Sequence, residues 1–390
     1  MKILIYSKKS TFSNKPFGGA ESSLTLLAKR LGELGNEVVF ATDPPENRIS
    51  KAKVIEKEGF TVHFIPVLRF PLQRFRIFKY INSAINAFLW EKYMSKNFSH
   101  FEIAHCFSPQ DAIQFINWKK ERLLEIKIVL RAVNLFWQNM NIPESRISEV
   151  VTNVWTQVDS ICFIHEKQRE DAIDLLLNRY GVEIKDYFTQ DIGIDLQSHN
   201  KFWKPPVDKM FRIIMVGRFS KLFKRQDILL NAFRNLNLLH SELIFAGDGE
   251  LRRSFEEKCF NDNFLRNRVK FIGFVETDEL REITLKSSLF CLASESEGLC
   301  KSVLEAMSLG IPVLVSNVRV LNKYIVHNEN GFLANNTEAD WTTQLNYFQK
   351  LSEIDKKRIG MRGKEHITVN YNSKLCALKY QEEFERIRGN

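Results

Sequence analysis

Glu297 and Glu305 stand eight positions apart at a junction between loop and helix. The apolar run 289–293 before them suits a buried strand of a parallel sheet. Residues 301–309 then suit a helix, with Gly310 placed to close it in a left-handed conformation and Pro312 preventing its continuation. At 1.5 Å per helical residue the two carboxylates are on the order of 10 Å apart, about the length of a sugar-diphosphate-ribose unit. A carboxylate at each end can accept hydrogen bonds from sugar and ribose hydroxyls, while the amides and positive dipole end of the helix favour phosphates between them. The bare spacing on its own fits two unrelated surface glutamates better, so the flanks must decide.

Cations of matching chemistry lie upstream. The strand 211–216 runs into Gly217 and Arg218, and Lys224 opens the next helix. In an open α/β sheet this places two cations where a diphosphate would sit. Lys221 competes with Lys224, because the loop length is not fixed by the pattern. Near the N-terminus, Gly18-Gly19 precedes a helix whose apolar positions Leu24, Leu27, Ala28, Leu31 and Leu34 keep helical spacing. Such a pair either lets backbone approach a ligand closely or makes a plain turn.

These residues need strands and helices to hold them. Strands are expected at 2–6, 37–42, 61–66, 102–106, 127–133 and 160–164, and again at 211–216, 242–246, 269–273, 289–293 and 312–316, separated by helical stretches. Alternation of this kind predicts doubly wound parallel sheets, an α/β class. A chain of 390 residues exceeds one core and suggests two domains of about 200 residues. Pro205-Pro206 places the linker over 199–209.

Composition narrows the function. Hydrophobic residues at 44% and charged residues at 26% are ordinary for a soluble globular protein. No apolar run is long enough to span a membrane and the first segment is too short for a signal peptide, so a cytoplasmic protein is expected. Six scattered cysteines without a C-x-x-C pair indicate neither zinc nor disulfides. The net charge of +9 calls for an anionic partner. Residues 68–98 interleave basic and aromatic side chains, which suits either an anionic membrane surface or a core-facing helix with solvated cations. No nucleic-acid-binding module accompanies the charge.

Glu297-x7-Glu305, followed by Ala306-Met307 and Gly310-Ile311-Pro312-Val313, resembles the E-x7-E signature of retaining GT-B glycosyltransferases, glycosyltransferase family 4 in particular. The resemblance implies two Rossmann-like domains facing each other across a cleft: 1–199 on the acceptor side and 200–372 binding the nucleotide-sugar donor, with a last helix, 373–390, crossing back. It implies that Arg218 and Lys224 bind the donor phosphates beside Gly217, that Glu297 orients the donor sugar, and that Glu305 holds the ribose. The loop and helix start at Gly298, Leu299, Cys300 and Lys301 complete the donor set, and Gly18 and Gly19 face the diphosphate. His105 is similar to a cleft histidine of relatives. Where relatives carry a second one, this chain has Arg131 to Asn134, so Arg131 or Asn134 is the candidate replacement. A V-G-G-x-x-E segment of relatives is here 318–323 without its glycines or its carboxylate, and Cys300 replaces the usual glycine or proline.

The implied reaction moves a sugar from a nucleotide donor to a glycan or lipid-linked acceptor with retention, as in surface polysaccharide and lipopolysaccharide biosynthesis, on the inner face of a membrane. Negative charge growing on the leaving diphosphate needs cations and donors, which Arg218, Lys224 and the helix amides supply. With no D-x-D triplet, neither a metal nor another cofactor is expected. A nucleotide-sugar epimerase of the same fold and a degenerate membrane-associated scaffold stay open as alternatives. An oxidoreductase is disfavoured, since no G-x-G-x-x-G follows the first strand.

Overall fold

The computed structural model describes residues 1–8, 10–12, 19–45, 49–68, 76–132, 144–196, 201–220, 223–297 and 300–389, apart from the side chains of 20, 49–50, 76–77 and 144–146. In chain order the first half runs β1 (Lys2–Tyr6), α1 (Gly19–Glu33), β2 (Glu37–Thr42), β3 (Ile49–Ser50), β4 (Lys53–Lys57), β5 (Phe60–Phe64), β6 (Val67–Leu68), α2 (Arg76–Phe98), β7 (Ile103–Cys106), α3 (Pro109–Arg122), β8 (Lys127–Ala132), α4 (Glu144–Val150), β9 (Ser160–Phe163), α5 (Glu166–Tyr180) and β10 (Tyr187–Thr189). The second half runs β11 (Phe211–Val216), α6 (Gln226–Leu236), β12 (Ser241–Ala246), α7 (Arg252–Phe260), β13 (Val269–Gly273), α8 (Thr277–Leu285), β14 (Leu289–Leu292), α9 (Lys301–Ser308), β15 (Val313–Ser316), β16 (Phe332–Ala334), α10 (Glu338–Lys350), α11 (Glu353–Asn370) and α12 (Ser373–Gly389).

The chain divides into two compact units, 1–193 with 373–390, and 194–372. In the first, the sheet order is β10-β9-β8-β7-β1-β2-β5-β4, parallel except for β4 against β5. Apolar side chains fill both faces: Ile3 and Ile5 point to one core with Leu24, Leu27 and Leu31 of α1, while Leu4 and Tyr6 point to the other. Such double burial explains why these strands are apolar throughout instead of alternating. α12 belongs to this unit, with Tyr380, Phe384 and Ile387 buried in the α1 core.

In the second unit the order is β13-β12-β11-β14-β15-β16, all parallel. The chain winds one way from β11 and the other way from β14, so these neighbouring strands flank the topological switch point. Strand ends at that point splay their loops apart, and ligands of open α/β sheets bind there. Residues 201–209, expected as linker, pack on this unit. Trp203 is buried, its amide donating to the Leu309 carbonyl at 2.8 Å and its indole to the Ser287 carbonyl at 2.6 Å. Among the described residues no helix is long and apolar enough to cross a membrane, and all six cysteines are buried thiols outside any disulfide.

Candidate functional site

The loops that leave β11 and β14 at the switch point carry Arg218, Lys224 and Glu297. They are laced to each other. Lys224 and Ser294 form a β-bridge, the Arg225 amide donates to the Ala293 carbonyl at 2.9 Å, and the Glu295 amide to the Phe223 carbonyl at 2.8 Å. Ser294 extends the lacing sideways: its amide donates to Ser316 Oγ at 2.8 Å, and the Asn336 amide group donates to its carbonyl at 2.8 Å. The loops after β14, β15 and β16 are thereby fixed together.

This lacing brings Lys224 Nζ to 2.6 Å from Glu297 Oε1, with the two side chains 19% and 10% exposed. The lysine stem reaches the carboxylate by lying over Gly217, where a Cβ would stand 3.3 Å from Lys224 Cε. Arg218 is exposed, and among the described residues its guanidinium has no hydrogen-bond or ion-pair partner. Next to the pair, Arg225 bridges Asp227 and Glu295. Asp227 first, then Glu295, holds its guanidinium pKa above the usual value.

The end of β11 is held from its other side by β12. The Gly217 amide donates to the Ala246 carbonyl at 2.9 Å and the Phe219 amide to the Asp248 carbonyl at 3.0 Å. Gly247, at φ +138°, lies so close that a Cβ would meet the Gly217 carbonyl oxygen at 2.2 Å. Glycine is therefore required where this turn braces the Arg218 loop.

α9 begins at Lys301, directly after the loop that leaves β14, so the positive dipole end of the helix lies at that loop. Gly310 beyond it takes φ +81°, the left-handed closure expected of it. Glu305 is partly exposed on α9 and pairs with Lys301 at 3.5 Å. Cys300 is buried where the loop enters α9. Gly19 opens α1 on the exposed side of the first unit. Gly18, Lys221, Gly298, Leu299 and Asn134 lie outside the described residues.

The two acceptor-side candidates that are described, His105 and Arg131, are placed differently from the expectation. His105 is fully buried beneath α12, its ring 5.8 Å from that of Tyr380 and 5.6 Å from that of Phe384. Burial first, and the charge of Arg131 second, bring its pKa down to about 3. Arg131 is also buried and donates to the Tyr380 hydroxyl and, at 3.4 Å, to the Gln190 carbonyl. In this arrangement both residues serve the seat of α12, because a strand buried on both faces turns its side chains into packing. Of the 68–98 segment, residues 69–75 lie outside the described residues. Trp90, Met94 and Phe98 of α2 are buried in the core, whereas Phe78, Tyr80, Ile81 and Phe88 are exposed.

Sequence reasoning missed Ser294, Ser316 and Asn336, which brace the loops, and Arg225, which carries an ion-pair cluster beside Lys224. The string Lys224-Arg225-Gln226-Asp227 was the available signal for Arg225. For the others, strand order was needed.

Residues 197–366 match the family described as glycosyl transferases group 1. The uncharacterized glycosyltransferase MJ1607 of Methanocaldococcus jannaschii is 33% identical over 186 residues, 47% of this chain and 46% of that one, so the chain spans about half the length of this curated relative. The N-acetyl-alpha-D-glucosaminyl L-malate synthase of Bacillus anthracis is 23% identical over 381 residues, 93% of each chain. Anabaena HepE, solved in complex with UDP-glucose, superposes with a TM-score of 0.73 at 14% identity, covering 99% of this chain and 100% of that one.

Proposed function

We propose that this chain, a GT-B protein whose second unit matches the glycosyl transferases group 1 family, transfers a sugar from a nucleoside-diphosphate donor to a hydroxyl acceptor with retention of anomeric configuration. The Lys224–Glu297 ion pair at the β11/β14 switch point carries this reading. It sets a cation and a sugar-orienting carboxylate side by side, between Arg218 on one loop and the start of α9 on the other.

The chemistry follows from charge. As the glycosidic bond to the diphosphate breaks, the sugar acquires oxocarbenium character and the leaving oxygens become more negative. Lys224 exchanges part of its contact with Glu297 for the diphosphate, Arg218 adds a second cation, and the α9 amides donate to the remaining oxygens. Glu297, released toward the donor, accepts hydrogen bonds from sugar hydroxyls, and Glu305 accepts from the ribose. With this much positive charge in place, the departure of the diphosphate proceeds without a metal ion. The acceptor proton passes to a leaving phosphate oxygen on the same face, which gives retention. The +9 charge and the exposed aromatics of α2 support an anionic or lipid-linked acceptor at a membrane surface, of the kind used in surface glycan synthesis.

Incubation with a panel of nucleoside-diphosphate sugars and glycan acceptors tests this. Acceptor-dependent release of nucleoside diphosphate, unaffected by chelator, with the anomeric proton of the product in the donor's configuration, is the expected result. Conversion of the donor to its epimer, or binding without turnover, would favour the epimerase or the scaffold.

A further inference from the structure

The ladder that joins β14 to β15 ends at Leu292 and Val315. Ser294, two residues further, is fully buried, and its peptide groups must find partners there. They find them in side chains from the ends of the next two strands. The Ser294 amide donates to Ser316 Oγ at 2.8 Å, Ser316 Oγ donates to Asn336 Oδ1 at 2.5 Å, and Asn336 Nδ2 donates back to the Ser294 carbonyl at 2.8 Å. The three hydrogen bonds close a ring with one sense. Turning the Asn336 amide over would set its oxygen against the Ser294 carbonyl oxygen, so its orientation is fixed.

Both members of the Lys224–Glu297 pair are tied to Ser294. Its hydroxyl lies 3.0 Å from the Phe223 carbonyl, next to Lys224, and 3.0 Å from the Ser296 carbonyl, next to Glu297. One proton is shared between the two. The lysine side has further ties: the bridge between Lys224 and Ser294, and the bonds of the Arg225 amide to Ala293 and of the Glu295 amide to Phe223. On the glutamate side, the peptide group between Ser294 and Glu295 opens the loop, and Asn336 grips its carbonyl.

A carboxylate that accepts hydrogen bonds from sugar hydroxyls must sit within about 0.5 Å of its productive place. We infer that Asn336 is a positioning residue for the donor sugar: through Ser294 it holds the loop that sets the reach of Glu297, while the cations of the diphosphate site are held without it. This role rests on the transferase reading above and deepens it, since it assigns the loop after β16 to the sugar half of the donor and not to the nucleotide half.

Calorimetric titration of the full chain with UDP, GDP and ADP, and with UDP-glucose, UDP-galactose, UDP-N-acetylglucosamine, GDP-mannose and ADP-glucose, tests it. The readout is the affinity of the sugar nucleotide that binds, divided by that of its bare nucleotide. Asn336 is partly exposed, so its variants should fold, as melting curves will show. Asn336→Ala, and Asn336→Asp, which turns a carboxylate oxygen on the Ser294 carbonyl, should each lower the ratio about five-fold, with bare-nucleotide affinity changed less than about two-fold. Glu297→Gln should lower the ratio as well. Adding Asn336→Ala to Glu297→Gln should lower it no further, because the first residue acts through the second. Equal weakening of sugar nucleotide and bare nucleotide, an unchanged ratio, or losses that multiply in the double variant would overturn the inference and leave the donor reading in place. Failure of every nucleotide and sugar nucleotide to bind would overturn both.

Discussion

Lys224 Nζ lies 2.6 Å from Glu297 Oε1 across 73 positions of chain, with both side chains largely withdrawn from water. Two parallel strands that wind away in opposite directions bring them together. The pair is at once a structural contact and, in the proposed reaction, the cation and the carboxylate that part to grip the donor.

Lys224→Met leaves the Glu297 carboxylate 10% exposed and without its cation. Removing one partner of a mostly buried pair costs about 3 kcal/mol, so the melting midpoint should fall by several degrees. Lys224→Met with Glu297→Gln should recover at least half of the loss. Additive losses in the double variant would show that the two residues are not coupled.

Gly247→Ala should be among the most damaging single-methyl changes in the second unit. The added Cβ meets the Gly217 carbonyl oxygen at 2.2 Å, from a backbone at φ +138° that alanine resists. A loss of about 3 kcal/mol or more is expected, together with weakened nucleotide binding as the Arg218 loop shifts. Both are checked by melting curves and nucleotide titration on one preparation.

His105 makes a pH-dependent contribution whose sign is set by its lowered pKa. The unfolded chain takes up the proton near pH 6.5, but the folded chain only near 3. The stability is complete above about 6.5 and is lost as pH falls, by up to ~1.4 kcal/mol per unit. Asp111 has the opposite sign. Burial raises its pKa to about 6, so the folded chain binds its proton first and that contribution is lost as pH rises through 6. The slopes oppose each other between pH 4 and 6, and His105→Leu separates them. The variant should lose less melting temperature than the native chain between pH 7 and pH 4.5; equal losses would contradict the assignment.

Tyr380→Phe tests how α12 is seated. The phenol meets Arg131, Cys162 Sγ at 3.2 Å and the Gln190 carbonyl at 3.1 Å. Its removal leaves a buried guanidinium short of a partner, at about 1–3 kcal/mol. The C-terminal helix should become cleavable at lower protease concentration, with nucleotide affinity unchanged.

Much of this was legible from residue order, for a physical reason. Parallel strands buried on both faces are short apolar runs, so β1, β2 and β11 stand within the chain where periodicity places them. Short edge strands such as β4, β10 and β16 carry no such run and were not anticipated. The site divides along the same line. The local pattern of Glu297, Glu305 and α9 follows from helix grammar, but the meeting of Lys224 with Glu297 depends on β11 pairing with β14, which no local pattern encodes. His105 and Arg131 mislead for a related reason: polar residues on a strand suggest a cleft until α12, more than 200 positions later, is seen to cover them.

In the proposed reaction the second unit grips a nucleoside diphosphate between Arg218, Lys224 and Glu305. Calorimetric titration of the native chain, Arg218→Ala and Glu305→Ala with UDP, GDP, ADP and their sugars tests it most directly. At least one nucleotide should bind one-to-one and lose about 1–3 kcal/mol of affinity in each variant. Melting temperatures should barely change, since Arg218 is exposed and Glu305 makes only a surface pair. Failure of every nucleotide to bind, or equal affinity in all three proteins, would contradict it.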